Sequence, residues 1–389
     1  MRVVIVGGYG VFGSLTARLL ARDGHKLWLA GRRPDKGRAL GEELGAATLR
    51  VDISKSAMPV FDVGPDVVID AAGPFQNYGE DPHRLASLCI AHGCHYLDLS
   101  DSSDFTKGIA ALNARAEAAQ VFALSGASSV PGLSSIIVDD LMKGLDEVDH
   151  IGIAILPGNR APRGPSVIKS IVGGVGRPAQ VLRNGRWQSV AGWTDRKEYE
   201  LEPGLRRAGY FVNVPDIALL PEKTGAKSVM FRAGFELPVM NQALHLLAKL
   251  RQRWQLEIPD AGYAALHLLS KALYPFGSDR GGMQVTVAGR SGNTHVARKW
   301  TLIAENGHGP FVPGVVCRAI LRGHPGTLPG ARPCLAELTK SSVENAMADL
   351  AIRIGCVEMP TEEGPASRGD HQGPNRPLSR QDRSLLPGA

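Results

Sequence analysis

Short apolar runs alternate with amphipathic segments over the first 145 residues of the chain. These runs lack a polar face, which is typical of strands buried on both sides in a parallel sheet. We predict six strands, over 3–6, 26–30, 47–52, 65–70, 95–100 and 120–124. The segments between and after them have apolar residues at helical spacing, which predicts helices over 13–24, 35–44, 81–92, 105–119 and 133–145. Because strands and helices alternate, we expect a right-handed, doubly wound α/β fold with a parallel sheet.

The pattern changes near residue 147, where paired strands and clustered helices replace the alternation. Asn184-Gly185 lies between two short runs, and this dipeptide is a strong signal for a β-hairpin. A longer hairpin is predicted around 290–293, with strands over 282–289 and 294–305. Further strands are predicted over 150–156 and 227–237, and helices over 239–254 and 260–273. These elements predict a second, α+β domain.

Chain length also favours two domains, since 389 residues exceed what a single core usually holds. We place a doubly wound α/β domain at 1–146 and an α+β domain at 147–310. Helices predicted over 313–321 and 335–354 form a third segment, 311–359, which packs back near the first domain. Residues 360–389 are rich in Gly, Pro, Ser and Arg, a composition that predicts a disordered tail.

The glycine-rich turn after the first strand predicts a dinucleotide site. Gly8, Gly10 and Gly13 have GxGxxG spacing between a predicted strand and a predicted helix, which is the context that the motif requires. Gly8 would permit a tight turn, Gly10 a close approach of the pyrophosphate, and Gly13 close packing of the helix. The phosphates would lie on exposed N–H groups at the helix N-terminus. We therefore assign to the cofactor these glycines and the residues between them, Tyr9, Val11 and Phe12.

The same glycines leave two alternatives open. A glycine turn can be purely architectural in an α/β protein that binds no nucleotide. Gly7, Gly10 and Gly13 also fit the spacing used by short-chain dehydrogenases. Those enzymes need a tyrosine followed four residues later by a lysine, and none of the seven tyrosines in this chain is followed in that way. The sequence therefore argues against short-chain dehydrogenase chemistry.

The end of the second strand indicates which cofactor binds. NAD-specific folds place an acidic residue there to bind the ribose hydroxyls, whereas this chain has Arg32 and Arg33. Two guanidinium groups suit a 2′-phosphate in geometry and charge, so we expect NADP rather than NAD, unless both arginines are simply solvated. Asp52 and Ile53 follow the third strand, at the predicted adenine edge. Small residues that let the cofactor pass over the backbone follow the fourth strand: Ala71, Ala72 and Gly73.

Composition narrows the possible partners. The formal net charge of +6 comes from scattered basic residues without Lys/Arg runs, so nucleic acid is not expected as a partner.

Five cysteines without a CxxC pair fit a reducing compartment, and we expect a cytoplasmic protein without a signal peptide. No apolar run reaches the length of a membrane span. The histidines show neither HExxH nor HxH spacing, so we expect no metal.

Several motifs occur together: the first thirteen residues, Ala30-Gly31-Arg32, Ala72-Gly73-Pro74-Phe75, the run from Cys89 to Ser100, and Val130-Pro131-Gly132. Together they resemble the saccharopine dehydrogenase-like oxidoreductases, strongly up to about residue 145 and more loosely beyond it. The resemblance implies a Rossmann domain, an inserted α+β domain that shapes the substrate site and often dimerises, and an NADP or NAD cofactor. We therefore expect a homodimer.

The family acts on different substrates, which include amino-acid adducts such as saccharopine, carboxylated polyamines and lipid enoyl groups. The chain departs from the saccharopine-forming reductases at Val130, where those enzymes have an acidic residue. It also lacks the dense set of Arg and Lys that several substrate carboxylates would need. The resemblance therefore implies a reaction type and leaves the substrate open.

We expect the nicotinamide beyond the C-terminal ends of strands four to six, where three loops converge. Tyr78, in the first loop, is a candidate donor of a proton or hydrogen bond to a carbonyl or imine. Asp101, in the second loop, would act as acid or base if burial raised its pKa. Each has a structural alternative, a plain loop for Tyr78 and a helix N-cap for Asp101. Other candidates for the site are Ser128, Ser129 and the glycine-flanked His308.

The sequence therefore predicts an NADP-dependent oxidoreductase. It would transfer hydride between NADP(H) and a C=N, C=O or C=C bond of a small-molecule or lipid-like substrate. The alternative is an NADP(H)-binding regulatory or scaffold protein without turnover, since the chain has no evident catalytic signature. A third interpretation gives a lipid-associated role to the apolar helix at 263–274, which is more simply explained as a dimer interface or core.

Overall fold

The computed structural model describes residues 1–254, 256–324 and 326–360. Its first sheet contains β1 (Arg2–Val6), β2 (Lys26–Gly31), β3 (Ala47–Arg50), β4 (Val67–Asp70), β5 (His95–Asp98), β6 (Phe122–Ser125) and a late strand, β15 (Gly330–Pro333). The seven strands are parallel and lie in the order β15-β6-β5-β4-β1-β2-β3. All six strands predicted for this part of the chain are therefore confirmed.

Helices cover both faces of this sheet. They are α1 (Val11–Arg22), α2 (Arg38–Leu44), α3 (Arg84–Ala91), α4 (Ser103–Gly108), α5 (Asn113–Ala118) and α6 (Ser134–Leu141). Val3 and Ile5 of β1 are buried in one core, while Val4 and Val6 are buried in another. Both faces of the strand are therefore buried, which explains why its sequence has no polar face. The predicted helix at 105–119 is divided by a 3-10 turn at Ile109–Leu112.

The second sheet is mixed and has nine strands. They are β7 (Glu147–Leu156), β8 (Pro178–Arg183), β9 (Arg186–Ala191), β10 (Lys197–Glu202), β11 (Leu205–Phe211), β12 (Ser228–Ala233), β13 (Gly281–Ser291), β14 (Thr294–Ala304) and β16 (Ile352–Pro360). The order β10-β11-β12-β7-β13-β14-β16 forms the main path, and β8 pairs with β12 and β9. Both predicted hairpins, β8–β9 and β13–β14, are confirmed.

The remaining helices are α7 (Pro165–Gly174), α8 (Pro215–Thr224), α9 (Pro238–Trp254), α10 (Asp260–Ala272), α11 (Val312–Gly323) and α12 (Lys340–Asn345). Sequence patterns did not predict α7, α8 or the hairpin β10–β11. Both missed helices are ten residues long and begin with a proline. Proline in a sequence usually indicates a turn, but it is also tolerated in the first turn of a helix, and this position hid the two helices. Among the described residues, no helix combines the length and apolar composition that spanning a bilayer requires.

The prediction of a single helix over 335–354 was wrong. Only Lys340–Asn345 is helical, and β16 begins at Ile352 and pairs antiparallel with β14 along its whole length. Backbone pairing with β14 and the β-branched residues of this segment favour a strand there. The late segment thus supplies a strand to each sheet, β15 to the first and β16 to the second. The proposed domain boundaries stay predictions, and 361–389, the bulk of the predicted tail, lies outside the described residues.

Helix α11 packs on α1 through a buried charge cluster. Arg318 is 2 % exposed and donates to both carboxylate oxygens of Asp23, at 2.9 and 2.8 Å, and also to Asp349. Burial alone would raise the pKa of Asp23, but the hydrogen bonds and charges of Arg318 and Arg322 lower it to about 2. A buried arginine held by two carboxylates is costly to break, so this contact fixes α1, whose N-terminus faces the cleft described next.

Candidate cofactor and substrate cleft

The residues predicted for cofactor and substrate meet in one cleft between the two domains, with a volume of about 1360 Å³. Loops after β1 to β6 form one wall, and residues near 155–171, 235, 279–283 and 302–304 form the other. The predicted residues that line the cleft are Tyr9, Gly10, Val11, Phe12, Arg32, Arg33, Asp52, Ile53, Ala71, Ala72, Gly73, Tyr78 and Asp101, together with Ser128 and Ser129. Gly8 and Gly13 lie just behind the lining and act through packing.

The turn after β1 depends on glycine at three positions, and the role of Gly8 differs from the one that we predicted. The positive φ of +75° belongs to Gly7, not to Gly8, so Gly7 makes the tight turn. A Cβ on Gly8 would lie 2.7 Å from the carbonyl oxygen of Ile5, so Gly8 is needed for close packing. A Cβ on Gly13 would lie 2.2 Å from the carbonyl oxygen of Gly7. Helix α1 therefore lies directly against the turn, as the fingerprint requires.

Gly10 caps α1 and leaves its first turn open to the cleft. Its backbone is extended, with φ −75° and ψ 178°, and no side chain caps the helix. The first N–H groups of an α-helix have no acceptor within the helix, and Val11 and Phe12 line the cleft at this point. This end of α1 therefore fits a pyrophosphate, which the helix dipole would also favour.

Tyr9 holds the loop that carries the two predicted phosphate ligands. Its ring lies over Gly31 and Gly37, where added Cβ atoms would lie 2.3 and 2.7 Å from tyrosine atoms. Its hydroxyl accepts a hydrogen bond of 2.8 Å from the backbone N–H of Arg33. The tyrosine therefore fixes the path of the chain after β2, a positioning role that the sequence did not reveal.

Basic side chains dominate the end of the cleft beyond β2. Arg32, Arg33 and Lys36 line it and are exposed. Asp52 lies at the same end, but its Oδ1 accepts from the backbone N–H and the hydroxyl of Ser54, at 3.2 and 2.7 Å. The hydrogen bond from Ser54, and to a smaller extent the charge of Arg32, lower the pKa of Asp52. The net charge of this end favours an anion such as a phosphate group.

A buried carboxylate, Asp70, lies behind Tyr78 at the end of β4. It is fully buried and accepts from the N–H of Ala72 at 3.0 Å, and the Tyr78 hydroxyl lies 3.0 Å from each of its oxygens. Burial raises the pKa of Asp70 to about 6. Burial and the charge of Asp70 together raise the pKa of Tyr78 well above 10. The signal for Asp70 in the sequence was an acidic residue that ends an apolar strand just before three small residues.

Asp98 occupies the neighbouring position in the sheet, since β4 and β5 pair Asp70 with Asp98. Its Oδ1 accepts from the N–H of Ser100, the N–H of Gly126 and the hydroxyl of Ser125, at 3.0, 2.8 and 3.0 Å. Among the described residues, its other oxygen has no hydrogen-bond partner. Burial raises the pKa of Asp98 to about 7. This residue joins the loops after β5 and β6, and sequence reasoning missed it.

Asp101 bridges the two walls of the cleft. One of its oxygens accepts from Gln76 Nε2 at 3.3 Å, and the other accepts from Ser170 Oγ of α7 at 2.8 Å. The helix N-cap alternative does not hold, because Ser102 occupies the N-cap position of α4. Asp101 thus faces the cleft with both oxygens held by neutral donors.

His308 lies elsewhere in the structure. Its Nδ1 accepts from the backbone N–H of Ala351 at 2.6 Å, and it is absent from the lining of the cleft. The histidine therefore joins two loops of the late segment. Within 1–254, 256–324 and 326–360, no group of three His, Cys, Asp or Glu residues is arranged to hold a metal.

The sequence and the fold of this chain were compared with those of known proteins. Residues 3–124 match the family model for the saccharopine dehydrogenase NADP binding domain, which confirms the resemblance drawn from the motifs. The fold resembles apo saccharopine dehydrogenase (L-Glu forming) from Saccharomyces cerevisiae, with TM-score 0.63, 14% identity and coverage of 92% of this chain and 99% of that chain. It also resembles a homospermidine synthase from Legionella pneumophila in complex with NAD, with TM-score 0.61, 13% identity and coverage of 97% and 95%. No curated protein sequence matched.

Proposed function

We propose that this chain, whose residues 3–124 match the model of the saccharopine dehydrogenase NADP binding domain, is an NADP-dependent oxidoreductase. It would transfer hydride between NADP(H) and a C=N, C=O or C=C bond of a small-molecule substrate. The observation that carries this proposal is the single continuous cleft, in which the glycine turn of the first domain faces a largely apolar wall of the second. An apolar chamber beside a dinucleotide path excludes water from the reacting bond.

The lining residues support one direction for the cofactor. The pyrophosphate would lie on the first turn of α1, at Gly10, Val11 and Phe12. The adenosine end would point toward Arg32 and the residues after β3. The nicotinamide would pass over Ala71, Ala72 and Gly73 toward the second domain, which is where substrates of open α/β sheets bind.

Charge supports NADP over NAD in this arrangement. Arg32 and Arg33 lie where an NAD-specific fold has a carboxylate, and Lys36 adds a third cation. The nearby Asp52 is tied to Ser54 and is not placed at the end of β2. A 2′-phosphate would neutralise a cluster that otherwise has an excess of positive charge.

We propose Tyr78 and Asp101 as the acid–base groups. A nicotinamide held at this cleft would supply hydride chemistry. Tyr78 would give its hydroxyl proton to the atom of the double bond that does not receive the hydride. Asp70, in its acid form, would return a proton to the tyrosine oxygen, since the two groups lie 3.0 Å apart and the pKa of Asp70 is raised by burial to about 6. Asp101 is the second candidate, because it is held at the same cleft by Gln76 and Ser170.

A regulatory or scaffold protein that binds NADP(H) without turnover is the second candidate function. One observation favours it: the hydroxyl of Tyr78 and both oxygens of Asp101 already have hydrogen-bond partners within the protein. A sensor would need these groups only for structure. The large apolar chamber favours the enzyme, because binding a cofactor alone does not require it.

We also propose a cytoplasmic homodimer with no nucleic-acid partner. The second domain exposes large apolar side chains on and beside α9 and α10, with Leu268 69 % and Phe276 65 % exposed. An exposed apolar face of this kind usually marks an interaction surface. A second copy of the chain would cover it, in agreement with the dimerisation domain that the resemblance implies.

Fluorescence titration with NADPH and NADH tests the proposed cofactor. We expect tight binding of NADPH, and Arg32→Ala should weaken it about tenfold or more while NADH binding changes little. Arg38→Ala is the matched control, since Arg38 is exposed, pairs with Asp35 at 3.1 Å and lies outside the cleft. Equal binding of both cofactors would remove the NADP assignment. Binding of neither would contradict the enzyme and the sensor alike.

A further inference from the structure

The second-domain wall of the cleft combines apolar side chains with very little charge. Its apolar members are Ile155, Val167, Ile171, Phe235, Met283 and Leu302. Among its described lining residues, Arg163 is the single cation and Asp279 the single carboxylate. We propose that Arg163 binds a single anionic group, such as a carboxylate, on a substrate whose remaining body is apolar. This inference names a substrate class and rests on the proposed function.

Arg163 is held in place before any ligand binds. Its Nη1 donates to Oδ1 of Asn159 at 3.2 Å, and its guanidinium lies 4.9 Å from the ring centroid of Phe235. Asn159 is itself fully buried, and its amide donates to the carbonyl oxygens of Leu273 and Phe276 at 2.6 and 2.9 Å. Stacking on an aromatic ring and one fixed hydrogen bond orient the planar guanidinium, so little entropy is lost when an anion binds.

The other terminal nitrogen of Arg163, Nη2, is buried and is left without an acceptor among the described residues. An unmatched guanidinium nitrogen is costly to bury, and an anionic ligand would remove that cost. Other atoms of the side chain line the cleft, so an anion in the chamber would pair with Nη2 when the guanidinium turns toward it.

Glu236, the carboxylate whose charge acts on Arg163, is already bound by other groups. Glu236 accepts from the N–H of Asn159 at 2.7 Å, from the N–H and hydroxyl of Ser278 at 2.8 and 2.9 Å, and from Arg207 at 2.9 Å. Its charge is therefore already shared among other donors. The charge of Glu236 acts on Arg163, but among the described residues no carboxylate hydrogen-bonds to the guanidinium, so Arg163 lacks an anionic partner in contact.

The position of Arg163 relates the anion site to the cofactor path. The next residue, Gly164, approaches α1 so closely that an added Cβ would lie 3.0 Å from Cγ2 of Val11. An anion on Arg163 would thus lie beside the first turn of α1. Because a cofactor phosphate would share this chemistry, the test must separate the two sources of anion.

Hexanoate is a suitable probe, with hexanol as its uncharged equivalent. Calorimetric titration of the protein, both cofactor-free and saturated with NADP⁺, should show that hexanoate binds more tightly than hexanol. Arg163→Gln should weaken hexanoate binding by about tenfold or more and leave hexanol unchanged, while Arg163→Lys should restore part of the affinity. Arg160→Gln removes the same charge from an exposed position on the same loop and should have no effect.

NADPH titration of the same variants separates the outcomes. Unchanged NADPH affinity in Arg163→Gln, together with lost hexanoate binding, supports a substrate site. Weaker NADPH binding with unchanged hexanoate binding would assign Arg163 to a cofactor phosphate and overturn the inference, as would equal binding of hexanoate and hexanol by the parent protein. If no variant binds NADPH, the proposed function fails while the hexanoate measurement on cofactor-free protein still decides the anion site.

Discussion

The two walls of the cleft differ in how they are built. The first-domain wall consists of successive loops at one edge of a parallel sheet, each placed by the strand before it. It contains polar groups, and two carboxylates, Asp70 and Asp98, are buried behind it on neighbouring strands. The second-domain wall collects Arg163, Phe235 and Met283 from separate segments and is mostly apolar. The first wall thus suits a fixed cofactor shared across a family, and the second suits a substrate that differs between members.

The largest expected difference between the two domains is their tolerance of a methyl group added at a glycine. Gly13→Ala tests the first domain. The new Cβ would lie 2.2 Å from the carbonyl oxygen of Gly7, where only backbone can move. We expect a loss of about 3 kcal/mol or more in the free energy of unfolding, together with loss of NADPH binding. Urea unfolding and the fluorescence titration measure these two effects.

Gly173→Ala on α7 is the matched change in the second domain. No atom lies within 4 Å of its added Cβ, so the substitution should stabilise the helix by about 0.5–1 kcal/mol. Similar losses of stability at both positions would contradict the view that the glycine turn is the more tightly constrained region.

The free energy of unfolding, measured over a range of pH, should reveal the titration of the buried carboxylate Asp98. The pKa of Asp98 is raised by burial from 3.8 to about 7, so the folded protein binds more protons than the unfolded chain between these values. Its contribution to stability therefore falls as the pH rises through this window, by up to roughly 1.4 kcal/mol per pH unit. Asp98→Asn removes the titration and keeps an acceptor for Ser100, Ser125 and Gly126.

The free energy of unfolding of Asp98→Asn, relative to the parent protein, should consequently increase from pH 4.5 to pH 7.5. Asp62→Asn provides an exposed control, and its difference from the parent should not follow this course. If the difference in free energy of unfolding between Asp98→Asn and the parent protein stayed constant with pH, the pKa of Asp98 would not be raised in the folded state.

The same contrast explains what the sequence could predict. The glycine turn and Arg32 lie within a few residues of the strands that place them, so motif spacing was sufficient to locate these residues at the cleft. Asp98 and Arg163 depend on partners that are distant in the chain, such as Gly126 for the former and Phe235 for the latter. Spacing along the sequence contains no information about such contacts. The strand β16 was missed for the same reason, because its pairing with β14 is not local.

The smallest expected effect concerns the contact that joins the two walls. Ser170 Oγ donates to Asp101 at 2.8 Å, and a double-mutant cycle of Ser170→Ala and Asp101→Asn should give a coupling energy of about 1 kcal/mol in thermal or urea unfolding. Ser270→Ala is the control, because that hydroxyl bonds to His267 within α10 and should not couple to Asp101. A coupling near zero would mean that this hydrogen bond does not hold the two walls together. A clear coupling would make Asp101 a residue that holds the cleft closed as well as a candidate acid or base, so its removal should then weaken NADPH binding even without any substrate.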